Sequence, residues 1–324
     1  MIGTEVHPND VLLNITGGSL GRCAVVPSSF YIGNVSQHVC ILRPILVIPE
    51  YLHAFILSEF FNRNMKVSGS GREGLPKYSL EIMAFPLPPL NEQVRIVSQI
   101  QSLMSLIDDL NTNKVLLDRS ISQCKQVILT LAITGKLTTQ LATDIPAIEL
   151  LKTINPKYTP TDNRHYENLP ATWEEIELGN ICQLFDGERI INKEYVNLDV
   201  KYLRGSKDEI KLTTGKYVPK DALMILVDGE NSGEVFTTPH EGYQGSTFKQ
   251  LKISSELNRD YVLLLIQHSR KLLKDNKVGS AIPHLNKKIF KQIHVPIPPY
   301  DEQIRIVRAV QDAMNKLDDI LADL

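Results

Sequence analysis

The chain has 324 residues, with 35 Lys and Arg against 37 Asp and Glu, and a formal net charge of −2. This balance excludes a strongly basic protein, so any contact with nucleic acid must come from a local positive patch. The hydrophobic fraction of 43% is that of an ordinary globular protein of two or three domains, and no apolar run is long enough to cross a membrane. Four widely separated cysteines argue against a zinc or redox motif and favour a reducing, cytoplasmic setting.

Residues 1–85 are interpreted as a small α/β domain, because they correspond to part of the larger α/β domain in the second half of the chain. The glycine-rich stretch Gly17–Gly21 follows a predicted strand, but no dinucleotide-binding pattern surrounds it. We therefore interpret this stretch as a turn.

A long helical spacer is predicted over residues 86–137. Pro88 and Pro89 precede the helix, Asn91 is placed as its N-cap, and Gly135 marks its end. Apolar residues between them recur at alternating spacings of four and three, which is typical of a coiled-coil seam. A helix of about 44 residues would be roughly 65 Å long and would act as a spacer. A helix that packs only on its own domain is the alternative.

The second half of the chain is predicted to contain a linker, a larger domain and a second helix. Prolines and polar residues indicate a linker over 138–168. A mixed α/β domain is expected over 169–295, with a buried strand at Ala222–Val227 and a helix at Asn258–Lys274. The second conserved helix is predicted over 296–324.

The two predicted helices repeat one another. Residues 86–110 and 296–320 share 12 identities in 25 positions, where about one or two are expected by chance. Asp301 takes the place of Asn91 as the expected N-cap, and the matching seams favour antiparallel pairing. The residues predicted to pair are Ile96, Ile100, Leu103, Ile107, Leu110, Ile306, Val310, Leu317 and Ile320.

The repeat extends upstream of the helices. Gly18 aligns with Gly229 at a shift of 211 residues and, after a slip of one residue, Gly21 aligns with Gly233. Chance similarity between loops rich in proline and glycine is the alternative, but order and spacing hold over about a hundred residues.

The second copy contains a segment that the first copy lacks. Residues 169–211 have no counterpart at the start of the chain. We therefore interpret residues 1–85 as an incomplete domain and the chain as N-terminally shortened.

The sequence contains no convincing catalytic constellation. Gly229–Gly233 lacks the Lys-Ser/Thr ending of a phosphate-binding loop, and Asn155–Tyr158 departs from the Asn-Pro-Pro-Tyr motif of amino-methyltransferases at Lys157. The histidines show no metal-binding spacing, so the following are interpreted as packing or hydrogen-bonding residues: His38, His53, His284 and His294. We expect a non-catalytic binding or scaffold protein that holds no metal and no cofactor.

Positive charge is concentrated in residues 270–291, where seven Lys and Arg oppose Asp275 alone. A second basic set, diluted by acids, lies in residues 189–211. Basic groups neutralise phosphates and polar groups read base edges; a solvated charged helix is the alternative. The residues proposed to contact DNA are Arg189, Tyr202, Arg204, Ser206, Lys207, Asn231, Ser232, Thr247, Lys249, Lys277, Ser280, His284, Asn286, Lys287 and Lys288.

Three motifs resemble those of the specificity (S) subunits of type I restriction–modification enzymes. The Leu-Pro-x-x-Trp opening lies at residues 169–173 and continues to Leu178 and Gly179. The signature Pro-Pro-x-x-Glu-Gln-x-Arg-Ile-Val occurs at 88–97 and again at 298–307. Gly135-Lys136-Leu137 matches the usual end of the first helix.

The resemblance implies an α/β fold with two pseudo-repeated target-recognition domains, the first incomplete, separated by long antiparallel coiled-coil helices. Each domain would read one half of a bipartite double-stranded DNA site. Two modification subunits, which carry S-adenosylmethionine and methylate adenine, would dock on the S subunit, and restriction subunits would join them. The S subunit itself would have no active site.

Two other hypotheses remain at this point. A shortened subunit could be an assembly partner or decoy that binds modification subunits without reading DNA, and it could recruit a second copy or a half-subunit. An unrecognised enzyme is the third possibility.

Overall fold

The computed structural model describes residues 4–67, 74–160, 165–278 and 283–323. The chain divides into two compact units, Met1–Val115 and Leu116–Leu324.

The first unit contains a three-stranded antiparallel sheet covered by short helices. Its strands are β1 (Val11–Asn14), β2 (Cys23–Val25) and β3 (Val39–Leu42), with β1 in the centre. Its short helices are α1 (Pro49–Leu57), α2 (Glu59–Asn64) and α3 (Lys77–Glu81). Alternate residues of β1 point inward, so Val11 and Leu13 form the core with Ile56, Phe61 and Leu75.

A 44-residue helix, α4 (Leu90–Ile133), crosses the boundary between the units and confirms the predicted long helix. No helix among the described residues is both long and apolar enough to span a membrane. Asn91 lies inside the first turn of α4, so the N-cap prediction was wrong. The proline pair already fixes an extended approach, and the helix begins at Leu90, two residues earlier than an N-cap at Asn91 predicts.

Glycine ends α4 as predicted. Gly135 has a φ of +69°, which favours glycine, and the Lys136 amide donates a 3.0 Å hydrogen bond to the Leu131 carbonyl. A Cβ at position 135 would lie 2.5 Å from Cγ of Pro170. The helix end is therefore fixed by backbone conformation and by close packing.

Residues 147–154, in the middle of the predicted linker, are folded. Helix α5 (Ala147–Ile154) buries Ala147 and Leu151 completely, and the Ala147 amide bonds to the Thr172 carbonyl at 2.9 Å. The linker was predicted from the prolines of this segment. Its apolar residues instead have helical spacing and pack into the core.

The described part of the second unit contains three groups of strands. A four-stranded antiparallel sheet has the order β5 (Cys182–Phe185), β11 (Phe248–Ile253), β8 (Leu223–Leu226) and β9 (Val235–Thr237). Three mutually paired strands are β6 (Arg189–Leu198), β7 (Lys211–Val218) and β10 (Gly242–Gln244). An antiparallel pair is formed by β4 (Glu174–Glu177) and β12 (His294–Ile297).

Six helices complete the described part of this unit: α6 (Leu178–Ile181), α7 (Val200–Leu203), α8 (Arg259–His268), α9 (Arg270–Asp275), α10 (Lys287–Gln292) and α11 (Tyr300–Ala322). The strand predicted at Ala222–Val227 is present as β8. The helix predicted at Asn258–Lys274 is broken at Ser269, where α8 ends. Pro299 lies at the N-cap of α11, so the prediction for Asp301 was also wrong.

Helix α11 packs antiparallel to the second half of α4. Lys125 forms an ion pair with Asp318, and at the other end Thr138, just after α4, donates to Glu302 near the start of α11. Leu129 and Ile306 are fully buried in the same core.

The seam residues predicted to pair differ in exposure. Ile306 and Val310 are buried, while Ile96, Ile100 and Leu317 are half-buried. The exposed members are Leu103, Ile107, Leu110 and Ile320. The contacts of α11 thus involve a more C-terminal part of α4 than the predicted seam residues 96–110. In an antiparallel pair, the start of α11 lies beside the end of α4. Pairing of the first half of α4 stays a prediction.

Equivalent hydrogen bonds confirm the internal repeat. The side-chain oxygen of Gln93 accepts from the Ile48 amide at 2.9 Å, and that of Gln303 accepts from the Asn258 amide at 2.9 Å. Each glutamine also donates to the first carbonyl of its own Pro-Pro pair at 2.9 Å. The glutamine of the signature therefore anchors the helix start to the domain in both copies.

Positive φ angles correct one detail of the alignment. Gly17 and Gly229 have φ angles of +75° and +101°, and Gly21 and Gly233 have +83° and +94°. Gly229 is thus the counterpart of Gly17, not of Gly18. Because the shift is 212 residues at both positions, the slip inferred from sequence is unnecessary here.

Candidate nucleic-acid interface

Glu302, the glutamate of the second signature, is a buried hydrogen-bond acceptor in the second unit. This side chain is fully buried and accepts hydrogen bonds from Trp173 Nε1 at 2.9 Å, Gln140 Nε2 at 2.6 Å and Thr138 Oγ1 at 3.1 Å. Burial raises the pKa of Glu302, although these three donors oppose the rise. The Trp of the Leu-Pro-x-x-Trp motif and the Glu of the helix signature thus form one hydrogen-bonded contact.

Two loops predicted separately to bind DNA lie together beyond the end of β8. The Gly229 amide donates to the Pro283 carbonyl at 2.7 Å, and the Leu285 amide donates to the Val227 carbonyl at 2.7 Å. His284 Nδ1 lies 2.6 Å from a carboxylate oxygen of Asp228. We call residues 228–233, 270–278 and 283–288 the turn cluster.

Three predicted contacts in the turn cluster have partners within the protein. Lys277 Nζ donates to the Glu230 carbonyl at 2.7 Å, and only 11% of its side chain is exposed. His284 is engaged by Asp228. Asn286 caps α10, because its side-chain oxygen accepts from the Lys288 and Ile289 amides at 3.2 and 3.1 Å. These residues hold the loops in place.

Free positive charge in the turn cluster lies on α9 and α10. Lys287 and Lys288 are exposed, and neither forms an ion pair with any described residue. Lys271 and Lys274 on α9 help to line a cavity of about 400 Å³. Asn231 and Ser232 line the same cavity, and the buried Ser232 hydroxyl has no hydrogen-bond partner among the described residues. This surface offers both phosphate-binding and hydrogen-bonding groups.

The candidates around α7 are mostly paired. Arg204 forms an ion pair with Glu234, and Lys207 Nζ lies 3.1 Å from Asp199. The Tyr202 hydroxyl lies 2.7 Å from His240 Nε2. The last candidate of this group, Ser206, donates to the Lys201 carbonyl at 3.0 Å.

A third group lies near Asp186. Lys249 forms an ion pair with Asp186, and Lys216 Nζ approaches the same carboxylate to 2.8 Å. Burial raises the pKa of Asp186, but hydrogen bonds from the two lysines and a glutamine together hold it well below its ordinary value. Arg189, at the start of β6, is exposed, whereas Thr247 is half-buried and its carbonyl accepts from the Val227 amide at 2.8 Å.

The predicted DNA contacts therefore lie in the turn cluster, around α7 and near Asp186, and Ser280 lies outside the described residues. Sequence reasoning missed the acids that pair with these cations: Asp186, Asp199, Glu230 and Glu234. Asp199 is eight residues from Lys207, but the other three acids lie 30 to 63 residues from their partners, a separation that local spacing does not reveal.

The chain is similar to specificity subunits of type I restriction enzymes. The MjaVIII specificity subunit of Methanocaldococcus jannaschii is 29% identical over 162 residues, covering 47% of this chain and 38% of that protein. The EcoAI specificity subunit of Escherichia coli is 22% identical over a 360-residue alignment, covering 81% of this chain and 60% of the relative. The chain thus spans less than two thirds of the length of either relative.

A solved structure supports the fold. An HsdS subunit from Thermoanaerobacter tengcongensis aligns with a TM-score of 0.63 at 18% sequence identity, covering 98% of this chain and 77% of that one.

The sequence profile of the type I restriction modification DNA specificity domain matches residues 2–116 and 170–323. These two matches include most of the chain and fall on the two copies of the repeat. Two copies of an α/β unit, each anchored to a following helix by the same glutamine contact, are the arrangement found above. The chain therefore belongs to the family of type I restriction modification DNA specificity domains.

Proposed function

We propose that the chain is the sequence-specific DNA-recognition subunit of a type I restriction–modification complex. It positions adenine-methylating modification subunits on a bipartite site. The observation that carries this proposal is the duplicated unit, in which Gln93 and Gln303 anchor equivalent helices in the same way. A duplicated unit suits a site in two halves, because each copy can read one half and bind one copy of a partner.

Double-stranded DNA and two modification subunits are the proposed partners, with restriction subunits and a second copy of the chain as further ones. S-adenosylmethionine is carried by the modification subunit, the chain itself is non-catalytic, and the complex acts in the cytoplasm. The seam of α4 that includes Leu103, Ile107 and Leu110 is proposed as a helix-pairing surface.

The DNA-facing surface is proposed to be the turn cluster together with Arg189 and the loop around α7. Lys287 and Lys288 support this assignment, since they are exposed and unpaired among the described residues. Cations that are held by acids, such as Lys277 and Lys249, would fix loop geometry or exchange their partners for phosphates on binding.

A methylome tests the function. The chain is co-expressed with a modification subunit from its own genome, and methylated adenines are mapped by long-read sequencing with and without the chain. We expect a bipartite motif that is methylated only when the chain is present. A stable complex that adds no methylation would contradict DNA reading and would support the assembly-partner hypothesis.

A further inference from the structure

Two histidines and a glutamate that are distant in sequence meet beside the β4–β12 pair. Glu175 lies on β4, His294 begins β12, and His165 precedes both. Their potential ligand atoms all lie within 4.8 Å of one another. A carboxylate oxygen of Glu175 is 3.5 Å from His165 Nδ1 and 4.0 Å from His294 Nδ1.

Among the described residues, the groups around Glu175 include two histidines and no partner with a permanent positive charge. The residue is 4% exposed, and no Lys or Arg among the described residues forms an ion pair with it. Its oxygens accept from the His165 amide at 2.9 Å and the Tyr166 amide at 3.0 Å. A nearby cation would stabilise this buried carboxylate further, in addition to the hydrogen bonds from the two amides.

A second observation points to the same place. Nδ1 of His294 is buried and has no hydrogen-bond partner among the described residues. A buried ring nitrogen without a partner loses the hydrogen bond that water would supply. A ligand between this nitrogen and Glu175 would satisfy both groups.

We propose that His165, Glu175 and His294 bind a divalent first-row transition-metal ion, with Zn²⁺ the best match. Imidazole and carboxylate groups are common zinc ligands, and in a tetrahedral site with bonds of about 2.1 Å the donor atoms lie about 3.4 Å apart. The two distances from Glu175 are close to this separation.

Coordination requires a modest movement of the rings. The imidazoles of His165 and His294 stack with centroids 3.7 Å apart and an interplanar angle of 23°. Stacked rings hold their nitrogen lone pairs in nearly parallel planes, so one ring must turn for both to reach one ion. His165 has 46% of its side chain exposed and has room to turn. The adjoining cavity of about 400 Å³ leaves space for water as a fourth ligand.

The proposed ion would cross-link separate segments of the chain. It would join the backbone at His165 to the strands that carry Glu175 and His294, all within the second unit. Binding would stabilise the folded unit in proportion to the logarithm of the metal concentration. This role is independent of DNA reading.

The test is metal binding by the full chain after treatment with EDTA. Isothermal titration with ZnCl₂ should give one ion per chain, and Co²⁺ should give visible d–d absorption that Zn²⁺ abolishes. The unfolding temperature should rise with added Zn²⁺. His165→Gln and His294→Gln should each weaken Zn²⁺ binding at least tenfold, and the exposed position of His165 makes its variant the safer one for folding.

His268→Gln is the matched control, because His268 lines the same cavity but is not among the clustered ligands. Its affinity for Zn²⁺ should equal that of the original chain. Two results would overturn the proposal: no binding by the EDTA-treated chain, or equal binding by His165→Gln. Stability that depends on pH but not on Zn²⁺ would assign the cluster to a histidine–carboxylate ion pair instead.

Discussion

The Trp173–Glu302 hydrogen bond explains why two distant motifs occur together. Trp173 lies in the opening of the second domain and Glu302 in the first turn of α11, yet the indole donates directly to the carboxylate at 2.9 Å. The equivalent glutamate of the first copy, Glu92, is exposed. The sequence showed both motifs, but it could not show that they touch.

Replacing Glu302 by Gln should destabilise the second unit by about 1–3 kcal/mol. The NH₂ group of Gln would face a hydrogen-bond donor where the carboxylate oxygen now accepts a hydrogen bond. Urea unfolding followed by circular dichroism measures the change. Glu92→Gln is the matched control at an exposed equivalent position and should change stability by less than about 0.5 kcal/mol. Equal effects of the two substitutions would contradict the buried role of Glu302.

The Asp144–Arg305 pair gives a pH dependence. Arg305 donates two hydrogen bonds to Asp144, at 3.0 and 2.6 Å, and thereby lowers the pKa of that carboxyl below its ordinary value of 3.8. A lowered folded-state pKa contributes stability above the unfolded-state pKa, and this contribution is lost as the pH falls through the folded-state value.

We therefore expect Asp144→Asn to destabilise the chain by about 1–3 kcal/mol at neutral pH, since Asp144 is buried. The difference from the original chain should shrink below a pH of about 4. Urea midpoints at neutral and acidic pH measure it. Asp318→Asn, in an exposed pair with Lys125, is the control and should have a smaller effect. A difference that is independent of pH would refute the charge interaction.

Among the helices and strands, local periodicity in the sequence predicted the long helix reliably. Features that depend on tertiary packing could not be predicted from the sequence. The heptad pattern predicted the 44 residues of α4, because the same apolar repeat continues along the whole helix. The break at Ser269 and the folded helix α5 were missed. Both depend on packing against distant segments, which short-range patterns do not encode.

The end of α4 supplies a test that separates backbone strain from close packing. Gly135 and Gly205 each follow a helix and have φ angles of +69° and +67°. A Cβ at position 135 would lie 2.5 Å from Pro170, whereas a Cβ at position 205 meets nothing within 4 Å. Gly205→Ala should cost about 1 kcal/mol from φ alone, and Gly135→Ala distinctly more. Equal losses in urea unfolding would mean that Pro170 moves aside without cost.

At the scale of the whole molecule, the net charge is nearly neutral, but the basic side chains are not equivalent. Some form ion pairs with acids, and others are exposed without such a partner among the described residues. Sequence reasoning identified a basic cluster within residues 270–291, but it could not distinguish Lys277, held by Glu230, from Lys287 and Lys288. That distinction depends on the fold, because the acid and the cation come from different loops.

Replacing Lys287 and Lys288 together by Gln should weaken binding to DNA of any sequence. The slope of log K against log salt should become shallower by about one unit for each lysine that neutralises a phosphate. Fluorescence anisotropy with the chain in its modification complex measures this slope. Lys249→Gln with Lys277→Gln is the matched control and should change the slope less, since both lysines already pair with acids. An unchanged slope in the first variant would remove α10 from the DNA-facing surface.

Helix α4 also sets a geometric rule for how this chain can change over evolution. Residues 101–116 of this helix are all exposed, so burial of these side chains does not fix their number. Each residue gained or lost there alters the length of the helix by 1.5 Å and its rotation by about 100°. Seven residues, roughly two turns, alter the length by about 10.5 Å and the rotation by only about 20°. A change of one heptad would thus act on distance almost alone, whereas a change of two residues would turn the two ends of the helix to opposite sides.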